Sequence, residues 1–544
     1  MLKSVLLASA ALLCLSGAAH SQEISAARIS NDIKVLSSDA FEGRGITTPA
    51  EPKVIDYMSQ GFAAAGFQPG GENGGWAQAV HLRQFIVSNP KLAFTFADGH
   101  RLDLKEGVDI TASTRGALGD VSFDKAPLVF VGYGVTAPER GWDDFKGMDV
   151  KGKILVELIN DPDFVEPQLM TFGGKAMTYY GRWTYKYEEA ARRGAAGVII
   201  IHDADAASYG WDTVRNSWAG PQFDIVRPDP STASPKLESW MTHETADALF
   251  KAAKLDLADL RVKARAKDFQ PVPLNVTLSG GYKVAASEIT THNIIARLPG
   301  TKYPDETVLF TGHWDHLGVC APEAADKICN GAVDNGSGIA TLLELARAFG
   351  KAEKPPERSI VMIAFTAEES GLLGSEYYAS NPLYPLAKTV AGINMDALNV
   401  NGPTKDIVVE GVGQSSLDDM VALYGGQQNR TLTPDPRPEA GGFFRSDHFP
   451  LVKRGVPMLV AYSGDDMIKG GKAAGEAFSK DYNEKRYHQP GDEWSADWDL
   501  GGLVEDATLY YRIGSALANS HQWPTWRDTS EFKGAREASN GERQ

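Results

Sequence analysis

From Thr291 onward, apolar β-branched runs alternate with stretches of helical spacing, the pattern of a mixed α/β sheet. The runs are Asn293 to Leu298, Thr307 to Thr311, Ser359 to Phe365, Val390 to Met395, Asp406 to Glu410 and Pro457 to Tyr462. Ile339 to Phe349 reads as an amphipathic helix between two of them, and Leu503 to Ser520 as a closing helix. Into this frame fall five polar segments: Thr-Gly-His313-Trp-Asp315-His316, Asn330-Gly-Ala-Val-Asp334-Asn335-Gly-Ser-Gly338, Ala-Phe-Thr-Ala-Glu368-Glu369-Ser-Gly, Ile-Asn-Met-Asp396 and Tyr-His488-Gln-Pro-Gly-Asp492-Glu. Four of the five are expected at the end of an apolar run, where an open α/β sheet presents its site.

These residue types suit divalent metal. Catalytic ions take imidazole and carboxylate ligands and keep a position open for water. His313 directly follows a strand, and the Asp315 carboxylate is expected to accept its second ring N–H. Glycines beside Asp334 let the backbone approach closely. Adjacent carboxylates such as Glu368 and Glu369 repel one another near a buried strand end unless a cation compensates them. One can then bind metal while the other faces water as general base. Two divalent ions against Asp334, Glu369, Asp396 and a bridging hydroxide reach neutrality, with Glu368 left over for the water. A lone His or Asp is more often a cap, a turn former or a satisfied core group, and His316 and His448 are read as supporting residues rather than ligands.

The 544 residues suffice for more than one domain, and 55 Gly with 29 Pro indicate many turns. A net charge of −16 argues against nucleic acid or an anionic membrane surface as partner. Lys3, the apolar stretch Val5 to Leu15 and Ala19-His20-Ser21 read as a signal peptide over residues 1–21, hence a periplasmic or secreted protein with no membrane insertion after its removal. Cys14 lies within that segment, behind a Leu13 too bulky for lipoprotein processing. Cys320 and Cys329 then form an even pair that reads as a disulfide in an exported chain; the alternative is two free thiols, and neither has a second cysteine at zinc-ligand spacing.

Helical spacing marks Ile24 to Leu36 and Pro52 to Ala65, and Trp76 to Val87 alternates like a strand. A β-β-α-β block over 118–266 reads as an insertion, with strands Pro127 to Gly134, Lys151 to Leu158 and Ala195 to Ile201 and a helix Tyr185 to Gly194. It divides a first domain into 22–117 and 267–524, and leaves 525–544 as a frayed polar tail. The aromatic set Tyr179, Trp183, Tyr185, Tyr209, Trp211 and Trp218 is either small-domain core or an overhang on the site.

The five segments resemble the exopeptidase family with two co-catalytic zinc ions that includes leucyl aminopeptidases, aminopeptidase Y and glutamate carboxypeptidase. Gly181 to Ala191 makes the insertion similar to a protease-associated domain, and Ser446-Asp-His-Phe-Pro450 is also typical of the family. The resemblance implies a mostly parallel sheet flanked by helices with an inserted smaller α/β domain. It also implies two Zn²⁺, with His313 and Asp396 on one, Glu369 and His488 on the other, and Asp334 bridging. Glu368 is then the base, Asp315 stands behind His313, and Asp492, His448 and Arg445 support the site or meet substrate. A cis bond between Asp334 and Asn335 belongs to the same pattern. The expected function is an exported zinc aminopeptidase acting on peptides. Alternatives are a carboxypeptidase or dipeptidase using Arg437 or Arg445 and, more remotely, a non-catalytic binding module or a glutaminyl-cyclase-like transferase.

Overall fold

In the computed structural model, residues 24–46, 48–320 and 324–543 are described, so the expected signal segment and Cys14 lie outside them. A single long sheet organises the chain. From one edge its order is Leu237–Met241, Gly197–Ile201, Ile154–Leu158, Gly119–Phe130, Val272–Leu298, Arg358–Phe365, Tyr303–His313, Thr389–Asn394, Met458–Ser463, Asp406–Val409 and Thr431–Pro434. The strand Val272–Leu298 runs through two lobes. Near its start it pairs with Gly119–Phe130, and its end, from Ile294, pairs antiparallel with Arg358–Phe365. Ala77–Phe96 accompanies it antiparallel from Val276 to Ile294.

Each lobe has its own apolar core. One cluster joins Ile29, Ile33, Val54, Phe62, Val308, Phe310, Leu342, Ile360, Ile393 and Ile513. Another joins Phe85, Phe94, Leu104, Val121, Phe130, Ile154, Ile199, Leu237, Leu249 and Leu278. The second core thus takes in residues on both sides of 118–266, because the two long strands carry their own apolar faces into it. Tyr209, Trp211 and Trp218 pack with Trp240 in a third cluster on that lobe.

Two expectations need correction. The helix Gly338–Gly350 is buried on nearly every face, so the polar side of its amphipathic spacing is covered rather than open to solvent. Its Glu344 is matched internally by Arg28 at 2.5 Å, and its Arg347 by Asp32 at 2.6 Å. The carboxy-terminal segment is packed, not frayed: Trp526 and Phe532 are buried, and the Trp526 ring N–H donates to the Gly455 carbonyl at 2.9 Å. Arg536 follows, donating to the Thr389 carbonyl at 2.9 Å beside the start of a central strand. Among the described residues no helix is long and apolar enough to cross a membrane.

Candidate metal centre

Three central strands run parallel and end level with one another. Tyr303–His313 is in register with Arg358–Phe365 through His313 and Phe365, and with Thr389–Asn394 through Thr311 and Asn394. Their carboxyl ends therefore deliver His313, Glu368–Glu369 and Asp396 to one edge, the place an open α/β sheet offers a ligand. Three of the five segments follow sheet strands, one fewer than expected. Asp334 instead sits in an irregular turn, Ala332–Ser337, and His488 in the loop after the helix Gly471–Lys485.

All five segments meet. His313 Nε2 lies 3.2 Å from Asp396 Oδ1 and 3.4 Å from Asp334 Oδ1. On the other side, His488 Nε2 lies 3.3 Å from Asp334 Oδ2 and 3.2 Å from Glu369 Oε2. The two oxygens of Asp334 thus address two different histidines. His313, Asp334 and Glu369 form one cluster of convergent ligand atoms, and His313, Glu368 and Asp396 another. The peptide bond between Asp334 and Asn335 is cis.

The supporting contacts explain how the loops hold this shape. His313 Nδ1–H donates to the main-chain carbonyl of Asp315 at 3.0 Å, which leaves Nε2 as the free lone pair. The Asp315 carboxylate, expected to take that bond, is 3.9 Å from the ring; its Oδ1 accepts the Glu368 N–H at 3.1 Å instead. A carbonyl two residues along suits a ring at a strand end better than its own short side chain. His316 Nδ1–H donates to Glu369 Oε1 at 2.6 Å, a supporting role as read from the sequence. Ser446 donates to Asp396 Oδ2 at 2.6 Å. Asp492, buried, accepts the main-chain N–H groups of Val333 and Asp334 at 3.0 Å each, so it fixes the turn rather than a ligand ring. Asn335 reaches across, donating to the Met395 carbonyl and accepting from Gly338 and Ala397. Glycine at 338 is required by that amide: a Cβ there would come within 2.2 Å of Asn335 Oδ1.

Backbone strain collects at the same place. Ala367, Ala397 and His488 have φ of 55°, 48° and 57°, a region non-glycine residues seldom adopt, and each adjoins or is a candidate ligand. One supporting residue was not singled out from the sequence. Arg44 is fully buried and donates to four carbonyls, those of Leu36, Trp314, Asn330 and Gly331, at 2.7–2.8 Å. Burial lowers its pKa to about 10, against the pull of Asp492 and Asp334. The Cys320–Cys329 disulfide closes the loop between His316 and Asn330.

His448 makes no hydrogen bond to a candidate ligand. Its Nε2–H donates to the Phe443 carbonyl at 2.6 Å, and burial takes its pKa down to about 4, so it is a neutral packing residue. Arg445 does reach the site, lining the same cavity as Glu368, Glu369 and His488, whereas Arg437 lines a second cavity beside Ala397.

The donor set fits divalent cations. Among the described residues, no lysine or arginine forms an ion pair with Asp334, Glu368, Glu369 or Asp396; their near neighbours are imidazoles. Burial disfavours a charged His313, yet Asp396, Glu368 and Asp334 together hold its pKa well above the usual imidazole value. His488 is likewise raised to about 10 by Asp334 and Glu369 despite burial. Glu368 is pushed far above the carboxylate range, first by burial and then by the charges of Asp396 and Glu369. Excess negative charge of this kind, gathered on buried convergent oxygens, is what bound divalent metal neutralises.

Comparison with known proteins agrees. Residues 293–511 match peptidase family M28. Leupeptin-inactivating enzyme 1 of Streptomyces exfoliatus is 31% identical over 210 residues, which cover 36% of this chain and 43% of that protein. Aminopeptidase NAALADL1 of Rattus norvegicus is 27% identical over 319 residues, covering 50% of this chain and 38% of its own length. The chain therefore spans less than half of each. An aminopeptidase from Aneurinibacillus sp. strain AM-1 shares the fold, with a TM-score of 0.50 at 20% identity over 92% of this chain and 95% of that one.

Proposed function

We propose that the chain is a zinc-dependent aminopeptidase, a reading that starts from the match of residues 293–511 to peptidase family M28. One observation carries the reading: Asp334 turns one oxygen to His313 and the other to His488, the disposition of a carboxylate shared by two ions. His313 and Asp396 would hold one zinc, Glu369 and His488 the other. Ions bound there supply Lewis-acid charge and lower the pKa of water.

The chain's own residues supply the rest. Glu368 faces the cavity with no lysine or arginine paired to it among the described residues, so it is placed to take a proton from water and give it to the departing amine. Asp315 holds the Glu368 backbone, and His316 orients Glu369. Beside Ala397 opens a cavity of about 610 Å³ whose lining includes Glu410, Asp435, Asp465 and Glu476. Burial, with Asp435 adding to it, raises the Glu410 pKa to about 7. An acidic pocket next to Asp396 suits a free α-amine and favours aminopeptidase polarity. One of the relatives, that of Rattus norvegicus, is named an aminopeptidase. We read the second lobe as a protease-associated domain, and the disulfide as support for an exported protein in an oxidising compartment.

The test is a substrate panel on metal-loaded protein. Aminoacyl anilides should be cleaved, N-blocked dipeptides should not, and zinc analysis should find two ions per chain. A chelator should abolish turnover and zinc should restore it. Cleavage of N-blocked dipeptides alone would move the assignment to a carboxypeptidase.

A further inference from the structure

The cavity of about 610 Å³ beside Ala397 holds more negative charge than an α-amine can use. It draws on three elements at the far edge of the sheet. Val408 and Glu410 lie at the end of the strand Asp406–Val409, Tyr462 belongs to Met458–Ser463, and another wall comes from the helix Gly471–Lys485. Val333 and Ala397 also line it, and they adjoin the candidate ligands Asp334 and Asp396, so the cavity abuts the metal centre.

Five carboxylates face two bases there: Glu410, Asp435, Asp465, Glu476 and Glu484 against Arg437 and Lys480. Lys480 is matched by Glu484 at 3.8 Å, and among the described residues none of the other four carboxylates makes an ion pair. Both bases are exposed, whereas Glu410, Asp435 and Asp465 are half-buried. Neutral donors hold these three. The Tyr462 hydroxyl donates to Glu410 Oε1 and the Ser479 hydroxyl to Asp465 Oδ1, both at 3.0 Å, and the Arg437 main-chain N–H donates to Asp435 Oδ1 at 2.8 Å. Such bonds fix a carboxylate in place and leave its charge unbalanced.

A single α-ammonium group satisfies one or two of these acids. A second positive charge on the same residue would balance the rest. Leu398, Val408, Met467 and Phe478 supply apolar lining in the same cavity. Lysine and arginine side chains match both features, since an aliphatic stem lies along apolar surface while its charged head reaches polar groups.

Direction along the substrate follows from Glu368, which lines the other cavity. As the group that returns a proton to the departing amine, it marks that cavity as the leaving-group side. The cavity beside Ala397 therefore receives the amino-terminal residue.

We propose that this cavity binds the cationic side chain of an amino-terminal lysine or arginine, with Glu410, Asp465 and Glu476 setting the preference. The inference rests on the aminopeptidase reading for its direction.

The test compares the p-nitroanilides of lysine and norleucine, and of arginine and citrulline, on the metal-loaded full chain. Norleucine and citrulline keep the stem of each side chain and lack its charge. A site built for a charged group rejects the analogue without it, because its own polar groups are then left unpaired. In the wild type, kcat/KM should be at least about tenfold higher for each cationic substrate than for its neutral counterpart, the worth of one charge-assisted hydrogen bond. Glu410→Gln should cut both ratios by about tenfold, chiefly through the KM of the cationic substrate. The ratio is decisive because a general loss of structure lowers both members of a pair alike. Glu476→Gln, on the exposed side of the helix, should lower the ratios too, and it decides the matter if Glu410→Gln fails to fold. Ratios near one in the wild type, or ratios unchanged in both variants, would overturn the proposal while the aminopeptidase reading stands. Calorimetric binding of L-lysinamide against L-norleucinamide reads the cavity without turnover. Tighter wild-type binding of lysinamide, lost in Glu410→Gln, upholds the cation site even if no anilide is cleaved, in which case the aminopeptidase reading alone has failed. Equal affinities would sink the site.

Discussion

Two residues show how differently a polar group can serve this centre. Glu368 lies 4.0 Å from His313 and is held in position through its own backbone N–H, which bonds Asp315. Glu368→Gln keeps the shape and removes the proton acceptor, so zinc content should stay at the wild-type level while kcat falls by about 10²–10⁴-fold. Metal analysis beside steady-state kinetics checks this, and a near-normal rate would reject the assignment. Arg44 touches no candidate ligand side chain, yet it ties together the carbonyls of Trp314, Asn330 and Gly331, in two of the ligand-bearing loops. Arg44→Met strands buried acceptors at roughly 1–3 kcal/mol each, so a loss on the order of 3 kcal/mol or more is expected in denaturant unfolding, with weaker zinc retention. A variant of normal stability that holds zinc normally would show that the loops stand without it.

At the scale of elements, the carboxy-terminal segment has a structural task. Trp526 and Phe532 pack with Phe443, Phe449, Val456 and Met458 in one cluster, and Glu531 accepts the Tyr179 N–H of the other lobe at 3.2 Å. The segment therefore backs the loop that carries Arg445 and Ser446. Trp526→Ala should cost about 3–5 kcal/mol, typical of a large buried aromatic, read as a lower denaturation midpoint. An unchanged midpoint would mean that the segment merely lies on the surface. A composition count misses this role because one tryptophan and one phenylalanine are diluted by polar neighbours.

The whole molecule carries buried carboxyls outside the metal centre that make stability depend on pH. Burial raises Asp144 to about 7, Glu157 to about 8 and Glu531 to about 7. Both Glu157 oxygens lack a hydrogen bond, and the charges around it, Lys186, Asp144, Glu189 and Arg193, partly cancel. Because the folded pKa lies above the unfolded one, the native state holds the proton longer. This contribution is full below about pH 4.5 and declines until the folded pKa is passed. Wild-type unfolding midpoints should therefore fall between pH 5.5 and 8. Glu157→Gln should flatten that fall and exceed the wild type at pH 8 by on the order of a few kcal/mol. Parallel pH profiles for the two proteins would refute the assigned cause.

Much of the centre could be read before any coordinates because its chemistry is local in sequence. His313, Glu368, Glu369 and Asp396 each lie at or just past the end of an apolar run, and an α/β sheet collects strand ends at one edge whatever its loops do. The bridging role of Asp334 and the cis bond after it were legible only through resemblance, since nothing in Val-Asp-Asn-Gly specifies an irregular turn. Tertiary structure alone decided the rest. Whether His313 bonds the carboxylate or the carbonyl of Asp315 depends on a few tenths of a turn at a strand end. Whether an arginine is buried among carbonyls or exposed beside a cavity depends on what folds against it, and sequence cannot tell Arg44 and Arg437 apart. Residue type and period declare which groups are available. Only packing over hundreds of residues decides which of them lose water, and which find a partner when they do.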